Sequence, residues 1–173
     1  MPDTTTYFHV TASDLTDALR VVTRAVPRKT TVPALRCVLF EPQPTDAAIG
    51  ARDDTVQFTA SDTEITLRVP LPVRLDDNCP QKPALLPADR LLKTAKALPP
   101  DADMIISVDG DYAVRVQTDA GTYKLVGRDP GEYPQITTEG DHLTIKPPVG
   151  QLLDVLKRTT FCISGDALRP AMT

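Results

Sequence analysis

Tryptophan is absent from this 173-residue chain, and phenylalanine and tyrosine contribute only four residues each. So thin an aromatic content leaves no row of stacking platforms of the kind that grips single-stranded nucleic acid. Nowhere do about eighteen apolar residues run together, so the sequence contains no membrane-spanning helix. The opening Met1-Pro2-Asp3-Thr4-Thr5-Thr6 lacks the basic and apolar regions of a signal peptide, which leads to an expectation of cytoplasmic residence. Cys37, Cys79 and Cys162 are widely separated, odd in number and outside any CxxC spacing, so neither a disulfide framework nor a zinc site is expected. Glycine is scarce, eight residues against seventeen prolines, and no GxxxxGK[ST] or GxGxxG phosphate-binding loop occurs. His9 and His142 have no local nucleophile partner, which removes the usual hydrolase constellations. Asp53, Asp54, Asp62 and Glu64 lack the spacing and the glycine of a calcium loop and read as turn formers. The sequence therefore offers no catalytic residue, metal or cofactor.

What is present begins with an amphipathic helix. Leu15, Ala18, Leu19 and Val22 recur at the spacing that buries one helical stripe, and Thr11 with Asp14 forms a capping box at its start. Arg20 and Arg24 lie four apart on the opposite face. Arg28 and Lys29 carry the positive charge into a loop bracketed by Pro27 and Pro33. This outward face reads as almost purely cationic, in a chain of net charge −4. Such a contrast calls for a segregated basic surface.

Short runs rich in valine, isoleucine and threonine follow at 35–40, 47–51, 56–60 and 64–73, punctuated by prolines and aspartates, and predict an antiparallel meander. Alternation places Ile65, Leu67, Val69 and Leu71 on a buried face, with Thr66 and Arg68 in water. Residues 74–83 read as a polar connector. A second helix is expected from Pro87 to Pro99, burying Leu91, Leu92, Ala95 and Leu98 and presenting Arg90, Lys93 and Lys96 in one row. Asp109-Gly110-Asp111 predicts a hairpin between strands at 105–108 and 113–117, and a further strand spans 123–126. Asp129 to Pro134 reads as a rigid turn at a domain end. Beyond it the chain begins again: Leu143 and Ile145 answer Phe8 and Val10, while Val149, Leu153 and Leu156 answer Leu15, Leu19 and Val22. A repeat truncated within its second copy follows. Residues 1–138 are expected to form one domain and 139–173 the beginning of the next, its apolar positions uncovered. Two helices with rows of cations and no interleaved aromatics favour sequence-independent contact with duplex phosphates.

Several landmarks then occur in order: Thr31-Val32-Pro33-Ala34-Leu35, Ala60-Ser61-Asp62-Thr63-Glu64-Ile65, Leu86-Pro87-Ala88 through Leu98-Pro99, Gly131-Glu132-Tyr133-Pro134, and Thr160-Phe161 with Asp166 to Met172. In these the chain resembles the bacterial DNA sliding clamp, the beta subunit of DNA polymerase III. The resemblance implies an α+β DNA-clamp fold, two antiparallel helices packed on antiparallel sheets, and a non-enzymatic processivity factor that forms a homodimeric ring around duplex DNA. It implies DNA contacts from Arg28 and Lys29 and, by helix geometry, from Arg20, Arg24, Lys93 and Lys96. It also implies a dimer interface at the edge strand, with Thr122, Tyr123 and Leu125, and at Arg90. Arg169 and Met172 match the start of a groove for partner peptides, through which the replicative polymerase and clamp loader are held. Asp166, Pro170 and Ala171 depart from residues that touch DNA in some clamps. The alternative reading is a stand-alone α+β module that binds protein or duplex DNA without enzymatic activity.

Overall fold

A computed structural model describes residues 6–43, 54–75, 82–134 and 146–163. The chain divides into two compact units, Met1–Ile136 and Thr137–Thr173.

In the first unit, strand β1 (Thr6–Thr11) runs directly into helix α1 (Ala12–Val22). The change of conformation is fixed at Thr11. Its backbone stays extended, at φ −77 and ψ 151, and its hydroxyl accepts the Asp14 N–H at 3.1 Å. The same hydroxyl donates to the Asp14 carboxylate at 2.7 Å, so this N-cap works through one side-chain pair. Strands β2 (Cys37–Gln43), β3 (Asp54–Ser61), β4 (Thr66–Leu75) and β5 (Ala84–Pro87) follow. Helix α2 (Ala88–Lys96) leads to β6 (Asp103–Val108), β7 (Ala113–Thr118) and β8 (Gly121–Val126). All pair antiparallel in the order β5-β2-β3-β4-β1-β6-β7-β8.

This row is two four-stranded halves that meet at two joints. At one joint β1 meets β4, with Phe8 opposite Leu75 and His9 opposite Arg74 among the described residues. At the other, Leu85 and Arg128 exchange backbone hydrogen bonds of 3.1 and 3.0 Å, which brings the two ends of the row together. Gly127 makes that approach possible, since a Cβ there would lie 2.6 Å from the Tyr112 carbonyl oxygen and 2.8 Å from that of Leu85. Helix α1 lies against β1, β3 and β4, whereas α2 lies against β2, β5 and β8, so each helix backs one joint. The two helices touch, and the start of α1 is tied to the segment just past α2: Ala12 N–H donates to Ala102 C=O and Ser13 N–H to Pro100 C=O, both at 2.9 Å. They therefore run antiparallel.

The apolar faces meet in one core. Leu15, Leu19 and Val22 of α1 and Leu91 of α2 are fully buried with Val38, Met104, Ile106, Val114 and Val116. Phe8 stacks on Phe40 at 4.8 Å between ring centroids, and Phe40 meets Phe58 at 6.1 Å, so aromatic contact links the two half-sheets through the interior.

Several expectations need correction. The strand expected at 64–73 begins at Thr66, and Ile65 is 59% exposed. The reason is local: Asp62 accepts the N–H groups of Glu64 and Ile65, and Thr63 sits at φ 82, so a tight turn holds Ile65 outside the pairing register. The connector expected at 74–83 starts late, because β4 runs through Leu75, and β5 is a strand the periodicity did not reveal. Leu92 on α2 and Leu98 just past its end are only half-buried, and Ala88 takes a buried place instead. The 109–112 turn forms as expected, with Asp109 accepting the N–H groups of Asp111 and Ala113. Its left-handed residue, however, is Tyr112 at φ 60. The strand expected at 47–51, Cys79 and His142 lie outside the described residues.

In the second unit, α3 (Val149–Thr159) ends in a turn at Thr160–Cys162. Val149, Leu152, Leu153, Val155, Leu156, Phe161 and Ile163 are all exposed. The helix expected from the repeat is present.

Candidate nucleic-acid interface and sheet edge

Between Ala18 and Phe40 the sequence holds Arg20, Arg24, Arg28, Lys29 and Arg36 and no carboxylate. The fold pins this stretch at both ends and leaves its charges outside. At the near end, Ala25 is buried in the 3-10 turn Thr23–Ala25, which carries Arg24. At the far end, Ala34 and Leu35 pack with Cys37, Leu85 and Tyr133 in a small second core. Between them the Thr30 hydroxyl accepts the Val32 N–H at 3.0 Å, and Arg28 and Lys29 are exposed. Lys93 and Lys96 are exposed in the last turn of α2, where the negative end of the helix dipole favours cations. Arg36, an exposed cation of the same acid-free stretch, was missed by a reading centred on helix faces.

One expectation about this surface is overturned. The helix faces are not purely cationic, because Asp17 lies 3.6 Å from Arg20 and Asp89 lies 3.0 Å from Lys93. By charge count α1 carries two aspartates against one arginine, so the positive charge belongs to the turn and loop that follow it. Among the described residues, no ion pair engages Arg24, Arg28, Lys29 or Lys96.

The groups with displaced titration lie elsewhere. Burial pushes the Cys37 thiol up, with Arg128 opposing it, and burial likewise raises the Tyr133 hydroxyl. The Ile65 and Glu64 N–H groups hold the Asp62 carboxyl below its ordinary range. Among the described residues no group of three histidine, cysteine, aspartate or glutamate side chains could hold a metal ion, and no helix is long and apolar enough to cross a membrane.

Among the described residues, strand β8 ends the row and pairs with β7 alone over its length. Thr122 and Tyr123 are exposed, Leu125 is half-buried, and Val126 is 83% exposed. Val126 was absent from the expected contact set, although alternation puts it on the face of Thr122 and Lys124. Helix α2, which carries the exposed Arg90, lies against β8, so the structure joins that arginine's helix to the edge strand. Arg169 and Met172 lie outside the described residues.

Comparison with known proteins places this architecture. The family model of the DNA polymerase III beta subunit, N-terminal domain, matches residues 6–137. The Beta sliding clamp of Bacillus subtilis is 26% identical over 170 residues, covering 96% of this chain and 43% of its own length. That of Halalkalibacterium halodurans is 28% identical over 158 residues, 88% of this chain and 39% of its own. Among solved structures, a Caulobacter crescentus beta sliding clamp superposes with a TM-score of 0.82 at 23% identity, over 95% of this chain and 41% of that one. The DNA polymerase sliding clamp of Bacillus subtilis gives 0.79 at 24% identity, over 95% and 42%. The chain thus spans about two fifths of the length of these relatives. With the antiparallel helix pair, the two half-sheets and a family match over most of its length, this chain belongs to the DNA polymerase III beta subunit family, whose N-terminal domain it carries.

Proposed function

We propose that this chain is a sector of a ring-shaped sliding clamp that encircles duplex DNA and keeps the replicative polymerase on it. Residues 1–138 supply the first domain and 139–173 the opening of the second. The acid-free stretch from Ala18 to Phe40, with its exposed cations on a loop pinned at both ends, carries this reading. Arginine and lysine so presented meet phosphates without reading bases, which suits a protein that must move along any sequence. Arg24, Arg28 and Lys29, with Lys96 of α2, supply the main contacts, and Arg20 and Lys93 supply weaker ones.

The edge strand closes the ring. The unpaired edge of β8, with Thr122, Tyr123 and Leu125, pairs with a partner subunit, and Arg90 makes an ionic contact beside it. Arg169 and Met172 begin a groove through which polymerase and clamp loader are held, most of it formed by chain beyond this sector.

The test uses the 173-residue chain with a fluorescent duplex of random sequence. Binding is expected to weaken steeply with salt, and the combined change of Arg24, Arg28 and Lys29 to Ala flattens the log–log slope by about 2.7, at about 0.9 per phosphate contact. The chain leaves nicked circles as fast as linear duplexes. An unchanged slope in the triple variant, or lasting retention on closed circles, refutes the reading.

A further inference from the structure

The same arrangement of charge recurs on each helix. Asp17 precedes Arg20 on α1 at 3.6 Å, Asp89 precedes Lys93 on α2 at 3.0 Å, and within its own unit Asp154 precedes Arg158 on α3 at 3.0 Å. In every case the carboxylate stands about one turn toward the N-terminus, the order in which such pairs also support the helix. All six side chains are more than half exposed, so these pairs add little to stability and open at small cost.

Resting on the proposed DNA-facing role of α1 and α2, we propose that Asp17 and Asp89 attenuate the grip of that surface. Each carboxylate occupies its cation as a phosphate would, so Arg20 and Lys93 present nearly neutral pairs to the duplex. The cations without such partners then supply the lasting attraction. A phosphate can displace the aspartate and the aspartate can retake its place, so contacts at these positions are exchanged rather than held. A surface built for movement along DNA gains from this, because each added fixed contact deepens the well from which the duplex must step.

Asp17→Asn and Asp89→Asn are compared with the parent chain on a random-sequence 20-base-pair duplex between 25 and 200 mM salt. Each is expected to tighten binding by about two- to fivefold at the lower end and to steepen the salt slope by about one. Removing any carboxylate also reduces plain repulsion, so the same changes are made with Arg20→Ala and Lys93→Ala. Attenuation through the pair predicts that the gain from Asp17→Asn vanishes with Arg20→Ala, and that from Asp89→Asn with Lys93→Ala. Gains that persist in those backgrounds overturn the proposal, since they report repulsion alone. Unchanged affinity with a lowered melting temperature overturns it too, since the pairs then serve only the helices. Failure of the underlying reading is separate and visible: Arg24→Ala and Lys29→Ala would leave binding intact, and the attenuation would fall with it.

Discussion

Replacing Gly127 by alanine attacks the joint that brings the two ends of the strand row together. The new Cβ would lie 2.6 Å from the Tyr112 carbonyl oxygen, 2.8 Å from the Leu85 carbonyl oxygen and 3.1 Å from Val114 Cγ2. Neither carbonyl can turn away freely. Tyr112 C=O accepts the Gly127 N–H at 2.9 Å, and Leu85 C=O accepts the Arg128 N–H at 3.0 Å. Relief requires the segment to lift, which sacrifices these bonds and the reciprocal one from Leu85 N–H to Arg128 C=O. At about 1 kcal/mol net for each, the expected loss is about 2–3 kcal/mol. For a domain of this size that lowers the melting temperature by about 10 °C. Hydrogen exchange adds a local signature, because the Leu85 and Arg128 amides should lose protection before those of the core strands. Gly110 is the control: a Cβ there meets nothing within 4 Å, so Gly110→Ala should leave both observables nearly unchanged. A Gly127→Ala variant that melts within about 2 °C of the parent and keeps both amides protected would refute the argument.

Other consequences can be checked as readily. Leu19 is fully buried between α1 and the sheet, so Leu19→Ala should cost about 3 kcal/mol in denaturant unfolding. Because N–H groups donated by Ile65 and Glu64 depress the folded-state titration of Asp62 below its ordinary 3.8, its contribution is full above that value and disappears as pH falls through the lower folded one. Asp62→Asn should therefore flatten the acid limb of the stability curve below about pH 4 without moving the neutral plateau's dependence on pH. Burial raises the Cys37 thiol while Cys162 is exposed, so brief iodoacetamide treatment near pH 8 should modify Cys162 and spare Cys37, as read by peptide mass.

Where local chemistry decides structure, the residues announced it. Thr11, Asp14 and the Leu15–Leu19–Val22 stripe define α1 because cap and period both act within one helix. Asp109 forecast its turn for a similar reason, as its carboxylate satisfies the backbone beside it. Strand β5 escaped notice because Ala84-Leu85-Leu86-Pro87 is buried on both faces and too short to show a period. Ile65 was misplaced because hydrophobic alternation is blind to a side-chain-capped turn that shifts where pairing begins. The joint between Leu85 and Arg128 connects residues 43 apart, and no local pattern signals it. At the candidate interface the cations were readable, but Asp17 and Asp89 were in equally plain view. Counting positive charge alone, without asking what stands one turn before each, overstated the α1 face.

A wall of two panels, joined between β5 and the end of β8 by the single bridge of Leu85 and Arg128, concentrates its compliance along that line. Within a panel, bending would break long hydrogen-bonded ladders together, whereas across this line only the Leu85–Arg128 bonds strain. Helix α2 lies behind it, against both β5 and β8. Strain should therefore gather at that line before either panel loses its ladder, as in a shell with a seam rather than a uniform block.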